Sequence, residues 1–305
     1  MKIKFILLSI HLNRVLSVFG LKLIRNKKPK LYRPGKYACH HPRALNSKEF
    51  NQNFLFRVPV NLGRTSRWFD LSENSLDPIL STLNIALKRD LTADELYIFL
   101  RQTLKVQNKL ISPLNAATLV GLDSGNKSIL FDFPAWSSVL PWQAENIKDK
   151  FHTFPDSVKN DRLKSGFKID SNDPIEIMRL NKAASFDSHV KQYINLLDSI
   201  GKHGILQGGK YGYISVFILI DNDNWRWIVG GEGNHRVDVA SAIGYNELDV
   251  IVEGVIRKED LKWWPNVCNG LYTSSQAEQV FNDIFNAKPS FTYSAWKSYF
   301  IDKIR

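Results

Sequence analysis

Two apolar runs separated by four polar residues constrain this chain most. "YGYISVFILI" (211–220) and "WRWIVGG" (225–231) are rich in β-branched and aromatic residues, and "DNDN" between them is a turn sequence. They predict a hairpin over 211–231. The next residues, "EGNHRVDVASAIG", pass at once into a helical pattern in which Val237, Val239, Ala240, Ala242 and Ile243 recur and Gly244 is a stop. "ELDVIVEGVI" then reads as a further strand. Upstream, "SFDSHVKQYINLLDSIGKHG" is an amphipathic helix with Val190, Tyr193, Ile194, Leu197 and Ile200 on one face, and "DPIEIMRL" before it reads as a short strand. The expected unit is strand, helix, strand, strand, helix, strand, a compact α/β module of about ninety residues over 166–256.

The hinge between hairpin and helix is where chemistry is expected. Gly230, Gly231 and Gly233 permit positive φ and close approach of the backbone to a ligand. The helix that follows presents unpaired N–H groups and the positive end of its dipole, which suits an anion, phosphate above all. His235 and Arg236 add side-chain donors. Glu232 cannot hold phosphate, but it can hold Mg²⁺ bridging phosphates or take a proton. The spacing is neither that of a Walker loop nor that of a dinucleotide fingerprint. The residues alone leave open a plain glycine-rich turn, with Glu232 and Arg236 in a local ion pair and Asn234 shaping the bend.

The chain has 305 residues, 44% hydrophobic and 23% charged, enough for one large or two modest domains. Its net charge of +11 is concentrated at one end. Residues 1–50 hold twelve of the 41 Lys/Arg and one of the 30 acids, so the remaining 255 residues are neutral. A large nucleic-acid face is therefore not expected. The basic segment begins "MKIKFILLSIHLNRVLSVFGLKLIRNKKPK"; its uncharged run is too short to span a bilayer. It reads as a basic amphipathic helix over 1–30, able to lie on an anionic membrane surface or to pack on the protein itself. Cys39 and Cys268 are too few for a disulfide framework, so a reducing cytoplasm is expected, at most with peripheral contact to the inner membrane. Cys39-His40-His41 lacks further metal ligands nearby.

Residues 31–155 read as mainly helical. "SLDPILSTLNIALKR" is one helix; "LTADELYIFLRQTLKVQNKL" is another, opened by a Thr92/Glu95 capping box; "FLFRVPVNL" is strand-like. "PDSVKNDRLKSG" (155–166) reads as a polar connector. Residues 257–305 read as a helical C-terminal extension whose Trp263, Trp264 and Tyr272 serve either core packing or stacking on a ligand ring.

Three blocks in this order resemble the ParB/sulfiredoxin-like superfamily. "LLDSIGKHGILQGG" is similar to that family's helix and following loop, "GEGNHRVDVA" to its glycine–acid–arginine box, and "AIGYNELDVIV" to its closing strand. The fold class expected is thus α+β: a compact ParB/sulfiredoxin-like α/β domain over 166–256, with a mainly helical N-terminal region and a short helical tail. The resemblance implies that Gly231, Gly233, Asn234, His235 and Arg236 bind the phosphates of a nucleotide (ATP, ADP or CTP), and that Gly204, Ile205 and Gln207 meet its base. It implies Mg²⁺ at Glu232; in a phosphotransferase a carboxylate would take the acceptor's proton, and Glu232 and Glu176, on the expected first strand, are the candidates. The activity expected is a nucleotide-dependent phosphotransferase on a small hydroxyl compound, such as a sugar or its precursor. Two alternatives are a nucleotide-sensing scaffold at the inner membrane surface and a ParB-like DNA-binding protein or nuclease. Departures limit the likeness. Asn234 stands where sulfiredoxins carry their cysteine, and no helix-turn-helix pattern follows the box. The tail looks more loosely like those of ParB-like proteins encoded among bacterial surface-polysaccharide genes.

Overall fold

The computed structural model describes residues 30–32, 54–123, 128–164, 166–208 and 211–288, without the side chains of 30–32, 54 and 182–185. The basic helix expected over 1–30 and the Cys39-His40-His41 cluster lie outside the described residues.

Helix and strand are mixed, as expected of an α+β chain, around one sheet. Its strands are β1 (Lys30–Tyr32), β2 (Phe54–Pro59), β3 (Gly63–Arg64), β4 (Ser215–Asp221), β5 (Asn224–Val229) and β6 (Glu247–Arg257), in the order β1-β2-β6-β4-β5-β3. The predicted hairpin is present: β4 and β5 pair antiparallel from Val216↔Val229 to Asp221↔Asn224. Strand β6 runs parallel to β4 on one side and antiparallel to β2 on the other. Strand β3 is parallel to β5. The region expected to be helical thus supplies β2 and β3 to the sheet of the 166–256 segment, and the described residues from Leu31 onward belong to one compact unit.

The helices are α1 (Pro78–Lys88), α2 (Ala93–Ile111), α3 (Ala116–Leu119), α4 (Ile147–Lys164), α5 (Pro174–His203), α6 (Asn234–Ile243), α7 (Pro265–Cys268) and α8 (Ser274–Phe285). Helix α2 opens with the capping box read from the sequence: Thr92 Oγ1 accepts from Glu95 N, and Glu95 accepts from Thr92 N at 2.8 Å. Two expectations fail. "DPIEIMRL" is not a strand but the first turns of the 30-residue α5; Asp173 caps it, accepting from Ile175 N, and Pro174 sits in its first turn. Most of the 155–166 stretch is not a connector: residues 155–164 are the second half of α4, with Pro155 inside the helix.

Alternation along β4 decides what lies on each face of the sheet. Val216, Ile218 and Ile220 point into a core shared with Trp227, Val229, Val237, Ala240 and Val250, against α6. Leu219 points the other way, with Ile228 and Ile256, into a core closed by Val280, Phe281 and Ile284 of α8. Behind α6 a third cluster joins Ile79 and Leu83 of α1, Leu100 of α2, and Val190, Tyr193 and Ile200 of α5. Each large side chain hidden in these layers contributes roughly 1.5–3 kcal/mol relative to exposure. The C-terminal extension is thus the second face of the core: Trp264 and Tyr272 are buried, and only Trp263 is exposed. Arg64 fastens β3 to the end of α8 by donating to the carbonyls of Ile284 and Phe285, and burial brings its pKa down to about 10.

Candidate functional site

The glycine-rich stretch is held from below by Ser215. Its N–H donates to Glu232 O, its carbonyl accepts from Gly230 N at 2.7 Å, and its Oγ accepts from Glu232 N at 3.0 Å. The glycines have different reasons. Only Gly233, at φ 97°, uses the left-handed region, and a Cβ there would lie 2.9 Å from Ile214 Cα. Gly230 is needed for closeness instead: a Cβ would meet the Glu253 carboxylate at 2.9 Å and Ser215 Oγ at 3.0 Å. Glu253, on β6, is thus a second carboxylate beside the turn.

Gly233 is the N-cap of α6 and offers no side chain to cap it. The first intrahelical bond is Val237 N to Gly233 O, so the N–H groups of Asn234, His235 and Arg236 meet no protein acceptor among the described residues. Asn234 Oδ1 is buried there and accepts no hydrogen bond. This helix start opens on a cleft of about 420 Å³ between α5 and α6, bordered by Gln192, Ser199, Tyr211, Glu232, His235 and Arg236. Arg236 is half-buried; its Nη1 donates to the carbonyls of Leu206 (3.3 Å) and Gly212 (3.2 Å) rather than closing an ion pair with Glu232. Burial lowers its pKa and Glu232 opposes that. His235 lies edge-on to Tyr193, 4.6 Å between centroids, with the His189 ring 5.7 Å away. Burial, then His189 and Arg67, hold its pKa down to about 4, so the imidazole is neutral at neutral pH.

A buried polar network, not foreseen from the sequence, fixes this floor. Arg67 donates from Nε and Nη2 to both oxygens of Asp77, at 2.6 and 2.8 Å, and from Nη2 to Asp238 Oδ2 at 2.9 Å. Tyr193 Oη donates to the same Asp238 oxygen at 2.8 Å. Asp77 also caps α1, accepting from Ile79 N and Leu80 N. Three helices and the 65–69 loop are thereby tied beneath His235. Burial works against the Arg67 charge, but the two carboxylates outweigh it and hold the guanidinium protonated. Burial raises the Asp238 carboxyl, Arg67 opposing and Asp77 adding to it.

The residues expected to meet a nucleotide base are used otherwise. Gln207 Nε2 donates to Asp249 O and its Oε1 accepts from Ile214 N, which pins the loop to the sheet. Ile205 packs into the core, and Gly204, at φ 70°, ends α5. Leu206 borders the cleft in their place. Glu176 is also remote. It is half-buried in the first turn of α5 and paired with the exposed Arg179 at 2.6 Å. Gln192, the nearest cleft residue on that helix, is sixteen residues on, roughly 24 Å along the axis. Glu176 therefore cannot serve this cleft. Among the described residues no group of three His, Cys, Asp or Glu could hold a metal ion. Mg²⁺ at Glu232 would need phosphate oxygens and water for its other ligands.

Comparison with family models, with curated proteins and with solved structures gives no match for this chain. No helix among the described residues is long and apolar enough to cross a membrane.

Proposed function

We propose that the chain binds a nucleoside di- or triphosphate at the start of α6 and transfers a phosphoryl group to a small hydroxyl compound, as a member of the ParB/sulfiredoxin-like superfamily. The observation carrying this reading is the uncapped helix start: three N–H groups without acceptors among the described residues, flanked by the His235 and Arg236 side chains, open on a 420 Å³ cleft. Its size falls in the range of small-ligand sites. The unpartnered Asn234 Oδ1 adds an acceptor for a donor on the ligand or a water. Arg236 would counter the charge that develops on the transferring phosphoryl group. Glu232 is the one acid among the described residues bordering the cleft, and Mg²⁺ shared with the phosphates is its proposed role.

Titration calorimetry of the whole chain with ATP, ADP and CTP, with and without Mg²⁺, tests the reading. Saturable heat with one nucleotide, weakened at least tenfold in Arg236→Ala, supports it. Silence with all three removes it. A second reading, a nucleotide sensor without turnover, is favoured by there being a single carboxylate among the described residues bordering the cleft. It stands if nucleotide binds and no diphosphate is released with any acceptor. Attachment to an anionic surface through residues 1–30 is a separate proposal, which vesicle flotation with and without anionic lipid decides.

A further inference from the structure

A second cavity, about 390 Å³, lies along α5 from the cleft. Trp68, Phe69, Leu104, Ile111 and Trp136 border it, and its polar groups include Gln107 and His189. Trp136 is held in place by stacking on Phe151, 5.3 Å between centroids and 17° between planes. Trp68 has φ 72°, a left-handed conformation that is strained for a bulky residue. The loop that imposes it is closed by Thr65 N donating to Phe69 O and Trp68 N donating to Thr65 O. Thr65 Oγ1 accepts from Arg67 N and Phe69 N as well. The fold thus maintains a strained backbone that sets an indole against the cavity.

The electrostatics select the occupant. Among the described residues Arg67 is the charged side chain bordering the cavity, and its Nε and Nη2 donate to Asp77 and Asp238. One guanidinium is outnumbered there by two carboxylates, so a ligand carboxylate would be desolvated without a cation to compensate it. The Gln107 amide and the His189 imidazole have no hydrogen-bond partner among the described residues, and they suit a hydroxyl. His189 borders this cavity, while His235, 5.7 Å from it ring to ring, borders the phosphate cleft. The two imidazoles bridge the two spaces.

We propose that this cavity seats the phosphoryl acceptor, and that the acceptor is an uncharged alcohol with an aromatic or flat apolar body. This rests on the phosphotransfer reading above. In the step, the alcohol oxygen bonds to the γ-phosphorus of a nucleoside triphosphate and the bond from that phosphorus to the bridging oxygen breaks. The nucleoside diphosphate leaves with the bridging electron pair. The hydroxyl proton passes to the His235 imidazole and then to water, because a Glu232 engaged with Mg²⁺ cannot also accept it.

The test uses the full chain, naphthalen-1-ylmethanol as probe, 1-naphthoate as its charged counterpart, and ligand-observed NMR. The alcohol is expected to bind saturably and the naphthoate at least tenfold more weakly. Filling the cavity with Ile111→Trp, or with Leu104→Trp where the first variant fails to fold, is expected to abolish alcohol binding while ATP titrates as before. No saturable binding, equal binding of the carboxylate, or binding that survives a folded filled variant overturns the assignment. Alcohol binding without any nucleotide binding would remove the phosphotransfer reading yet leave the ligand class standing. His235→Asn is expected to lower alcohol-dependent ADP release at least a hundredfold with alcohol affinity changed less than threefold. Undiminished release would overturn the proton route.

Discussion

Replacing Arg67 by alanine would leave two carboxylates in a place that water hardly reaches. The Asp77 side chain is 0% exposed and that of Asp238 is 3%. Arg67 supplies them with three charge-assisted hydrogen bonds of 2.6–2.9 Å. Taken singly such bonds are worth about 1.5–3 kcal/mol each, but their sum overstates the loss. Asp77 keeps its bonds from Ile79 N, Leu80 N and Thr65 Oγ1, and Asp238 keeps Tyr193 Oη. One carboxyl can also take up a proton. The expected cost is the lower part of the range for breaking a buried ion pair, about 3–4 kcal/mol. At about 2–4 °C per kcal/mol for a chain of this size, Tm falls by roughly 6–16 °C. The deficit also depends on pH. A carboxyl whose folded pKa is raised binds its proton more tightly folded than unfolded, so the variant recovers stability as pH falls from 7 toward 5. Urea unfolding followed by circular dichroism at both pH values measures this. A loss below about 1 kcal/mol at pH 7 with an unchanged m value, or a deficit that widens on acidification, would refute the reasoning.

Gly233→Ala combines a left-handed φ with a Cβ 2.9 Å from Ile214 Cα, so it should cost about 2–4 kcal/mol in urea and weaken any nucleotide binding. Wild-type stability in that variant would mean α6 begins elsewhere. His235, held near pKa 4 against an ordinary 6.5, is neutral in the fold where the unfolded chain takes a proton. Stability should therefore fall as pH drops from about 6.5 toward 4, by up to about 3 kcal/mol, and His235→Phe should flatten that slope. Identical acid slopes in the two proteins would show that His235 is not desolvated. Glu176→Gln, on an i,i+3 pair with an exposed partner, should change neither Tm nor nucleotide affinity, and a measurable loss of turnover would place Glu176 at the site after all.

What could be read from the sequence was local. The Thr92/Glu95 box, the turn between β4 and β5 and the Gly244 stop are each set by neighbours within four residues, and all three are present. The glycine-rich helix start was visible for the same reason, since Gly233 needs its φ whatever lies around it. "DPIEIMRL" misled because Ile175, Ile177 and Met178 form an apolar run too short to show a period; the Asp173 cap before Pro174 was the signal to weigh. The 155–166 stretch misled because α4 keeps almost no apolar face there, with only Ile147 and Pro155 buried along the whole helix. The Arg67 network joins residues 10 and 171 positions apart, and no local pattern encodes such a meeting. Glu253 and His189 were missed likewise: each reaches the site through the fold.

The pairing of β2 with β6 also dictates an order of events during synthesis. Arg57 leaves the ribosome 192 residues before Asp249, the carboxylate it grips with two hydrogen bonds. At translation rates of about 5–20 residues per second, β2 waits roughly 10–40 s for its partner. Through that interval its edge is unpaired, and the sheet can close only as one late, long-range step. The same topology means that residues 166–256, if released alone, would carry β6 with a bare edge where β2 belongs, and such a fragment is prone to self-association.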